Sequence, residues 1–549
     1  MSFFLSLAAL YASANAASFR TVGSSGCTAQ MAFLPPFTDT IVFLDNYHEN
    51  YGGAGVDLAT GAHSKDAFMQ DDGSSLYAFG VEYSWRTNTL RKLHPKSNTF
   101  CAAGAFFPDG TMVNVAGAEG QGGSTDGTQL LDGRQALRRY KPGPCDGACG
   151  MDFDVDNDAL QSTRWYPSAI TLGTGDVVVV GGSTMGGLVV NEDDINNPTY
   201  ELIKHDGSAA PKQVELDILK FDASQNQKGE YSYNLYPHLH LLPDPTSRSR
   251  VFTLAGSRVA IHDYLTDHRI KDLPNVPVGP RCFPSSATVV LLPLTPPSYD
   301  PTILVCGGSS TDAPDPKALD DCHRIQPNDA NPTWDADDRL PNGPQTMTDA
   351  LLLPDGHILF LNGAHKGSAG GFMADDPVTQ PLLYNPTAEP GHRFTTPDAR
   401  TPIPRLYHAV AQLLPTGEIL LAGSNPAVSY DAVGNAPNLN KLYPHFLNHG
   451  HLAFLNQQQS PTSHYPTEYR VELFRPDYLD HAAGRPVIAS APDAIKYAAD
   501  FQIRVAQTST GDTKVRLSYS GFRTHAMEMG QRMVELEVTL GGHGARPSV

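Results

Sequence analysis

Beyond its first residues the chain lacks any long apolar run. The opening stretch, MSFFLSLAALYASANAASFR, has an apolar core from Phe3 to Ala12 and an Ala14-Asn15-Ala16 cleavage pattern. That core is far shorter than the ~20 residues a membrane span needs, so residues 1–16 read as a secretory signal and the rest as a soluble extracellular chain. Positive charge is scarce too: 39 Lys and Arg face 58 Asp and Glu, for a net charge of −19 to which the signal contributes nothing. Such a balance argues against nucleic acids and anionic membranes as partners. The sequence has no N-x-[ST] sequon. Cysteine is sparse and odd in number, with seven: Cys27, Cys101, Cys145, Cys149, Cys282, Cys306 and Cys322. In an oxidising compartment most should pair, and at least one must stand outside an intramolecular disulfide. Helical periodicity is rare, while Gly (49) and Pro (44) are abundant, which favours short strands and turns.

What the chain does contain is a repeat. CAAGAFFPDGTMVNVAGA, YPSAITLGTGDVVVVGGS, TDALLLPDGHILFLNGA and HAVAQLLPTGEILLAGS share one plan: an apolar run, a glycine turn, a β-branched run and a small-residue close. SSATVVLLPLTPPSYDPTILVCGGSS has the same ends around an insertion. QMAFLPPFTDTIVFLDN and YNLYPHLHLLPDPTSRSRVFTLAGS are weaker copies. Closing glycines at Gly117, Gly181, Gly256, Gly307, Gly363 and Gly423 recur every ~50–75 residues, the scale of a four-stranded propeller blade with variable loops. A solenoid or a β-sandwich would also suit such short strands. A closed seven-bladed, kelch-like β-propeller over residues 17–460 accounts better for seven units, because it leaves few strand edges open. After residue 460 the repeat stops. YRVELFRPDYL, PVIASAPDAIKYAADFQIRVA and TKVRLSYSGFRTHAMEMGQRMVELEVTL read as a C-terminal immunoglobulin-like β-sandwich over 461–549, with fewer than the usual strands and so truncated. The architecture is all-β.

The turn glycine serves as a ruler. Nine residues before it stand Cys101, Tyr166, Met347 and His408, with Tyr407 one residue further back. If these are inner strands, blade symmetry brings Cys101, Tyr166, Tyr407 and His408 together at one end of the axial channel. Tyr407 and His408 then share a site only if their strand begins irregularly, since neighbours in a regular strand face opposite ways. Phenols and imidazole in a tetragonal set suit Cu(II), whereas zinc would be expected to use more His, Cys or carboxylate. One histidine is too few, and His525, in the loop GFRTHAMEMGQR of the terminal domain, is the candidate that a finger could carry to the axis.

Together these segments resemble the copper radical oxidases, the galactose oxidase and glyoxal oxidase family. TFCAAGAFFPDG is similar to the family's thioether-forming cysteine segment and RWYPSAI to its cross-linked tyrosine. RLYHAVAQLLPTGEILLAGSNP is similar to its axial tyrosine and adjacent histidine, and THAMEMGQRMVEL to its last histidine ligand. LYPHLHLLP, FPSSATVVLLPL, ILVCGGSS and LLLPDGHILFLNGAHKGSAG resemble glyoxal oxidase-like chains, over about residues 26 to 540 in all. The resemblance implies one copper ion held by Tyr166, Tyr407, His408 and His525, and a Cys101–Tyr166 thioether carrying a radical. It also implies Tyr407 as general base. With Cys101 so used, six cysteines remain for disulfides, read as Cys145–Cys149 and Cys306–Cys322 from proximity and Cys27–Cys282 from what is left. The implied activity is oxidation of small aldehydes, through their hydrates, to carboxylic acids with dioxygen reduced to hydrogen peroxide. Primary alcohols are the alternative substrates. Extracellular peroxidases are expected consumers of the peroxide, and a monomer is expected. A non-catalytic propeller that binds glycan or protein is the rival, but it has no need of this thiol, phenol and imidazole set. A metal hydrolase lacks a fitting carboxylate–histidine set. The cluster His445, His449 and His451 lacks the H-E-x-x-H glutamate, and His238 with His240 reads as a pair of solvated or hydrogen-bonded histidines.

Overall fold

The computed structural model describes residues 17–46, 57–59, 78–120, 130–141, 152–184, 195–208, 213–220, 235–310, 316–371, 373–426, 465–480, 486–492, 494–496, 499–507 and 514–539. The expected signal at 1–16, the histidines at 445, 449 and 451, and Cys145 with Cys149 lie outside them. Among the described residues no helix is long and apolar enough to cross a membrane.

Seven antiparallel sheets form a seven-bladed propeller. In chain order the innermost strands are Met31–Phe33, Ala103–Phe106, Ser168–Thr171, His238–Leu241, Thr288–Leu291, Asp349–Leu352 and Ala409–Leu413. They are almost wholly buried, while outer strands such as Asp154–Asp156 and His268–Leu273 are largely exposed. Runs such as Val177–Val180 are apolar without alternation because adjacent blades cover both of their faces. Ile170, Val178 and Tyr200 of the third blade pack on Leu239, Val251 and Tyr264 of the fourth. Phe43 and Val81 of the first blade meet Val410, Leu420 and Val471 of the seventh. Burial between blades thus repeats around the ring.

The seventh blade closes the ring by mixing the two ends of the propeller. Ser18–Ser24 pairs antiparallel with Arg470–Arg475, from Ser18↔Arg475 to Ser24↔Arg470. Arg470–Arg475 in turn pairs with Ile419–Gly423. This corrects the sequence reading, which placed YRVELFRPDYL in the terminal domain. Val471 and Leu473 fill the core between blades one and seven, and Phe474 the core between six and seven. The long stretch after Pro426 separates this strand from its partner and hides the repeat.

Beyond the propeller, Val487–Ser490 pairs with Arg504–Gln507, and Val515–Tyr519 with Arg532–Leu536. Between the latter two strands the chain sends out a hairpin, Phe522–Thr524 and Met527–Met529. The hairpin enters the ring and pairs with the innermost strand of the first blade, Met31↔Thr524 and Ala32↔Arg523.

Cys306 and Cys322 face each other on neighbouring strands of the fifth blade and form a disulfide. Cys27 and Cys282 do not pair, contrary to expectation. Each is a separate buried thiol, Cys27 between blades one and seven and Cys282 between blades four and five. The Cys282 thiol donates to Leu254 O (3.2 Å). Burial pushes Cys282 up to about 12 and Cys27 well above its ordinary value, which leaves both inert.

Candidate metal centre

The irregular strand start required by Tyr407 and His408 is present, and it recurs. Just before the innermost strand, six blades hold a non-glycine residue in the left-handed region: Cys101 (φ 57°), Tyr166 (61°), Tyr236 (45°), Ser286 (48°), Met347 (57°) and His408 (63°). Such a conformation costs roughly 1–3 kcal/mol per residue and persists only when its surroundings enforce it. Backbone hydrogen bonds between blades do so here. Tyr166 N donates to Cys101 O (3.2 Å), Tyr236 N to Tyr166 O (2.8 Å) and Met347 N to Ser286 O (2.9 Å). The kink at His408 turns its ring onto that of Tyr407, with centroids 3.6 Å apart at 28°, so both side chains face the axis.

His525 arrives on the hairpin tip. His525 (φ 50°) and Ala526 (φ 61°) form a two-residue turn between Thr524 and Met527, the type I′ geometry that matches strand twist and usually selects Asn-Gly. Non-glycine residues there hold the imidazole at the extreme end of a rigid finger.

The structure therefore brings together all five residues singled out from the sequence. Tyr166 Oη and Tyr407 Oη are 2.9 Å apart, Tyr407 Oη and His525 Nε2 3.3 Å, and Cys101 Sγ and His525 Nε2 3.7 Å. Cys101, His408 and His525 present donor atoms within 4.8 Å of one another, the one such group among the described residues. All five side chains are buried.

Hydrogen bonding sets the tautomers. Thr524 Oγ1 donates to Gln30 O (3.3 Å) and so accepts from His525 Nδ1 (2.6 Å). His408 Nδ1 donates to Asn425 O (3.2 Å). Each ring is left with a bare Nε2, and that of His408 is buried without any partner. This is how metal-binding imidazoles are usually oriented. Burial holds His408 down at about 3, and burial reinforced by His408 holds His525 well below its ordinary value, so both are neutral. Burial pushes the Tyr166 phenol well up, with Cys101 and Tyr407 adding to it, and the Cys101 thiol is raised by burial as well. A divalent cation reverses that preference and draws the phenols toward phenolate. Two neutral imidazoles and two phenols around an orphaned Nε2 fit a copper ion.

Two residues of the centre escaped the sequence reading. Phe283 stacks on Tyr166 (4.4 Å, 28°), and Tyr236 lies edge-on to it (4.9 Å, 72°) with its Oη donating to Ala102 O (3.2 Å). Tyr236 occupies the same slot as Cys101 and Tyr166, but its blade turns at LPDPTSRSR without a glycine, so the ruler was missing. Phe283 stands three residues before its own slot, Ser286, where no periodicity marks it. His238 and His240 are neither solvated nor uniformly bonded. Both are buried, His238 Nε2 is 3.4 Å from Arg281 O, and neither nitrogen of His240 has a partner.

The chain matches two family models: Glyoxal oxidase N-terminus over residues 31–444, and Galactose oxidase-like, Early set domain, an immunoglobulin-like fold, over 485–548. Among curated proteins, "Aldehyde oxidase GLOX" of Vitis pseudoreticulata is 31% identical over 515 residues, covering 91% of this chain and 84% of that protein. "Aldehyde oxidase GLOX1" of Arabidopsis thaliana is 29% identical over 536 residues, covering 94% and 75%. Among solved structures, a fungal alcohol oxidase described as in complex with copper superposes with a TM-score of 0.62 at 16% identity, covering 97% of this chain and 93% of that one. That superposition supports the fold.

Proposed function

As a member of the glyoxal oxidase family this chain is a glyoxal oxidase-like oxidase, and we propose that it oxidises small aldehydes, as their hydrates, to carboxylic acids in the extracellular space. The reaction balances as RCH(OH)2 + O2 → RCOOH + H2O2. One observation carries the reading: Cys101, Tyr166, Tyr407, His408 and His525, drawn from the second, third and seventh blades and the terminal hairpin, converge on one point, with contacts of 2.9 to 3.7 Å linking Tyr166, Tyr407, His525 and Cys101 and the His408 donor atom within 4.8 Å of those of Cys101 and His525.

In this reading Tyr166, Tyr407, His408 and His525 hold one copper ion. Bound copper supplies Lewis acidity and one-electron redox chemistry. Cys101 and Tyr166 supply the other electron once joined by a thioether. That bond forms between Sγ and a ring carbon, with two hydrogens lost to dioxygen. The sulfur spreads the unpaired spin of the oxidised ring and eases its formation. Tyr407 Oη, 2.9 Å from Tyr166 Oη, takes the proton of the substrate hydroxyl as general base. Tyr166 Oη then takes a hydrogen atom from the substrate carbon. Phe283 and Tyr236 wall the Tyr166 ring and keep water from it. Extracellular peroxidases are the proposed consumers of the peroxide, and the enzyme acts as a monomer.

The test is chemical. The mature chain is loaded with copper under air and its peptides are analysed by mass spectrometry. A cross-linked pair carrying Cys101 and Tyr166, two hydrogens lighter and lost in Cys101→Ala, is expected. Peroxide release is then measured across aldehydes and primary alcohols, and preference for alcohols would replace the aldehyde assignment. Two separate, unmodified peptides from folded, copper-bearing protein would sink the radical mechanism.

A further inference from the structure

Among the described residues the largest wholly buried side chains are four arginines, Arg138, Arg164, Arg281 and Arg405. Three stand two residues before an aromatic of the centre: Arg164 before Tyr166, Arg281 before Phe283 and Arg405 before Tyr407. Each reaches the same pair of targets. Arg164 donates to Gly181 O (2.7 Å) and to Glu201 (Nε 3.0 Å, Nη2 2.9 Å). Arg405 donates to Gly423 O (2.7 Å) and to Glu472 (Nε 3.1 Å, Nη2 3.0 Å). Arg281 donates to Gly307 O and to Asp321 (2.6 Å).

The register is shared. Val179 and Leu421 each lie four residues after their blade's turn glycine, and they pair with Glu201 and Glu472. In the second blade, which bears Cys101, the same register pairs Asn114 with Arg138, so the polarity is reversed. Arg138 donates to Ala116 O (2.8 Å), the carbonyl equivalent to those of Gly181 and Gly423. It also grips Asn98 O (2.9 Å) and Ser97 Oγ (2.9 Å) in the loop that leads to Cys101.

We propose that Arg138, Arg164 and Arg405 are positioning residues that hold the centre's side chains in register. Each planar fork ties the segment just before a left-handed site residue to the second and third strands of its blade, fixing how far that residue projects toward the axis. The phenol oxygens of Tyr166 and Tyr407 come from different blades and meet at 2.9 Å, so slippage of a fraction of an ångström in either blade separates them. Lysine cannot take over, because one ammonium lacks the planar fork whose Nε and Nη2 close together on a single carboxylate oxygen of Glu201 or Glu472 while Nη1 holds the glycine carbonyl.

The inference rests on the copper-site reading, and its test separates the two. Removing one member of a buried pair leaves an uncompensated charge, whereas replacing both preserves folding. The first variant is therefore Arg405→Met/Glu472→Gln in the full chain, where Gln keeps an acceptor for Thr401 Oγ1 (2.7 Å). The matched control is Arg281→Met/Asp321→Asn, the same device in a blade that offers no metal ligand. Both are expected to melt a few degrees below wild type. In the Arg405 variant alone, Cu(II) affinity is expected to fall at least tenfold with a changed Cu(II) electron paramagnetic resonance spectrum. In its metal-free crystal structure the two phenol oxygens are expected beyond 3.5 Å. Equal copper affinity and spectrum in both variants, or an unmoved phenol pair, overturns the proposal. If wild type itself gives no copper spectrum, the copper reading fails, and the metal-free phenol distance still decides this one.

Discussion

Asp349 makes a pH dependence measurable. It begins the innermost strand of the sixth blade, wholly inside the channel, where Asn362 Nδ2 donates to its Oδ2 (2.9 Å). The charged groups facing it come from the hairpin: Arg523, which favours the carboxylate, and Glu528, which opposes it. Burial outweighs both, and its pKa rises from 3.8 to about 7. Below pH ~4 the carboxyl is protonated in folded and unfolded chains alike and contributes no pH dependence. Between ~4 and ~7 the unfolded chain releases a proton that the folded chain keeps, so stability falls as pH rises; above ~7 the loss is constant. A rise of that size corresponds to ~4 kcal/mol. At ~2.1 cal/mol/K of unfolding entropy per residue, a chain of this size loses ~4 °C of melting temperature. Calorimetry of metal-free wild type and Asp349→Asn at pH 4.5 and pH 8 is the assay. The substitution should narrow the gap between the two pH values by a few degrees, mostly by raising the melting point at pH 8. An equal shift at both pH values would falsify the assignment of a protonated Asp349 in the folded state.

Thr524→Val removes the acceptor that orients His525 Nδ1 and should weaken copper binding ~10–100-fold, read by metal competition, with the fold unchanged by circular dichroism. Phe522→Ala empties a fully buried site against Phe33 at a cost of ~3–5 kcal/mol. Limited proteolysis should then cut at the hairpin long before the propeller. Cys306→Ala/Cys322→Ala opens a loop of sequence separation 16 and should lower stability by ~3 kcal/mol, seen as a shifted denaturant midpoint against the oxidised wild type. Below pH ~4 the depressed carboxyls of Asp263 and Asp321, both at about 2, should produce a separate loss of stability as the pH falls, seen when the calorimetry is extended to lower pH.

Much of this was legible in the residues because blade symmetry converts register into proximity. Counting nine back from a turn glycine found Cys101, Tyr166 and His408 without any coordinates. The same count failed for Tyr236, whose turn has no glycine, and gave no hint of Phe283, which reaches the centre from a loop rather than a slot. Arg470–Arg475 was misassigned because its pairing with Ser18–Ser24 joins residues more than 440 apart, a distance local patterning does not span. Cys27 and Cys282 were paired on parity alone. Parity does not register that two apolar inter-blade cores, each with room for one small sulfur, lie on different sides of the ring. The buried arginines were visible as R-x-Y and R-x-F but carried no meaning until Glu201, Asp321 and Glu472 were seen opposite them.

The hairpin that lends His525 has a consequence for timing. Cys101 and His525 are 424 residues apart, so a ribosome making ~5–20 residues per second needs on the order of a minute to go from one to the other. For most of that interval, until Arg470–Arg475 has been made, the strand Ser18–Ser24 waits for its partner and the ring stays open. The last imidazole emerges only after every strand of the propeller. A nascent chain therefore has no finished pocket in which to trap a metal ion until the propeller and the hairpin that follows it have both been made.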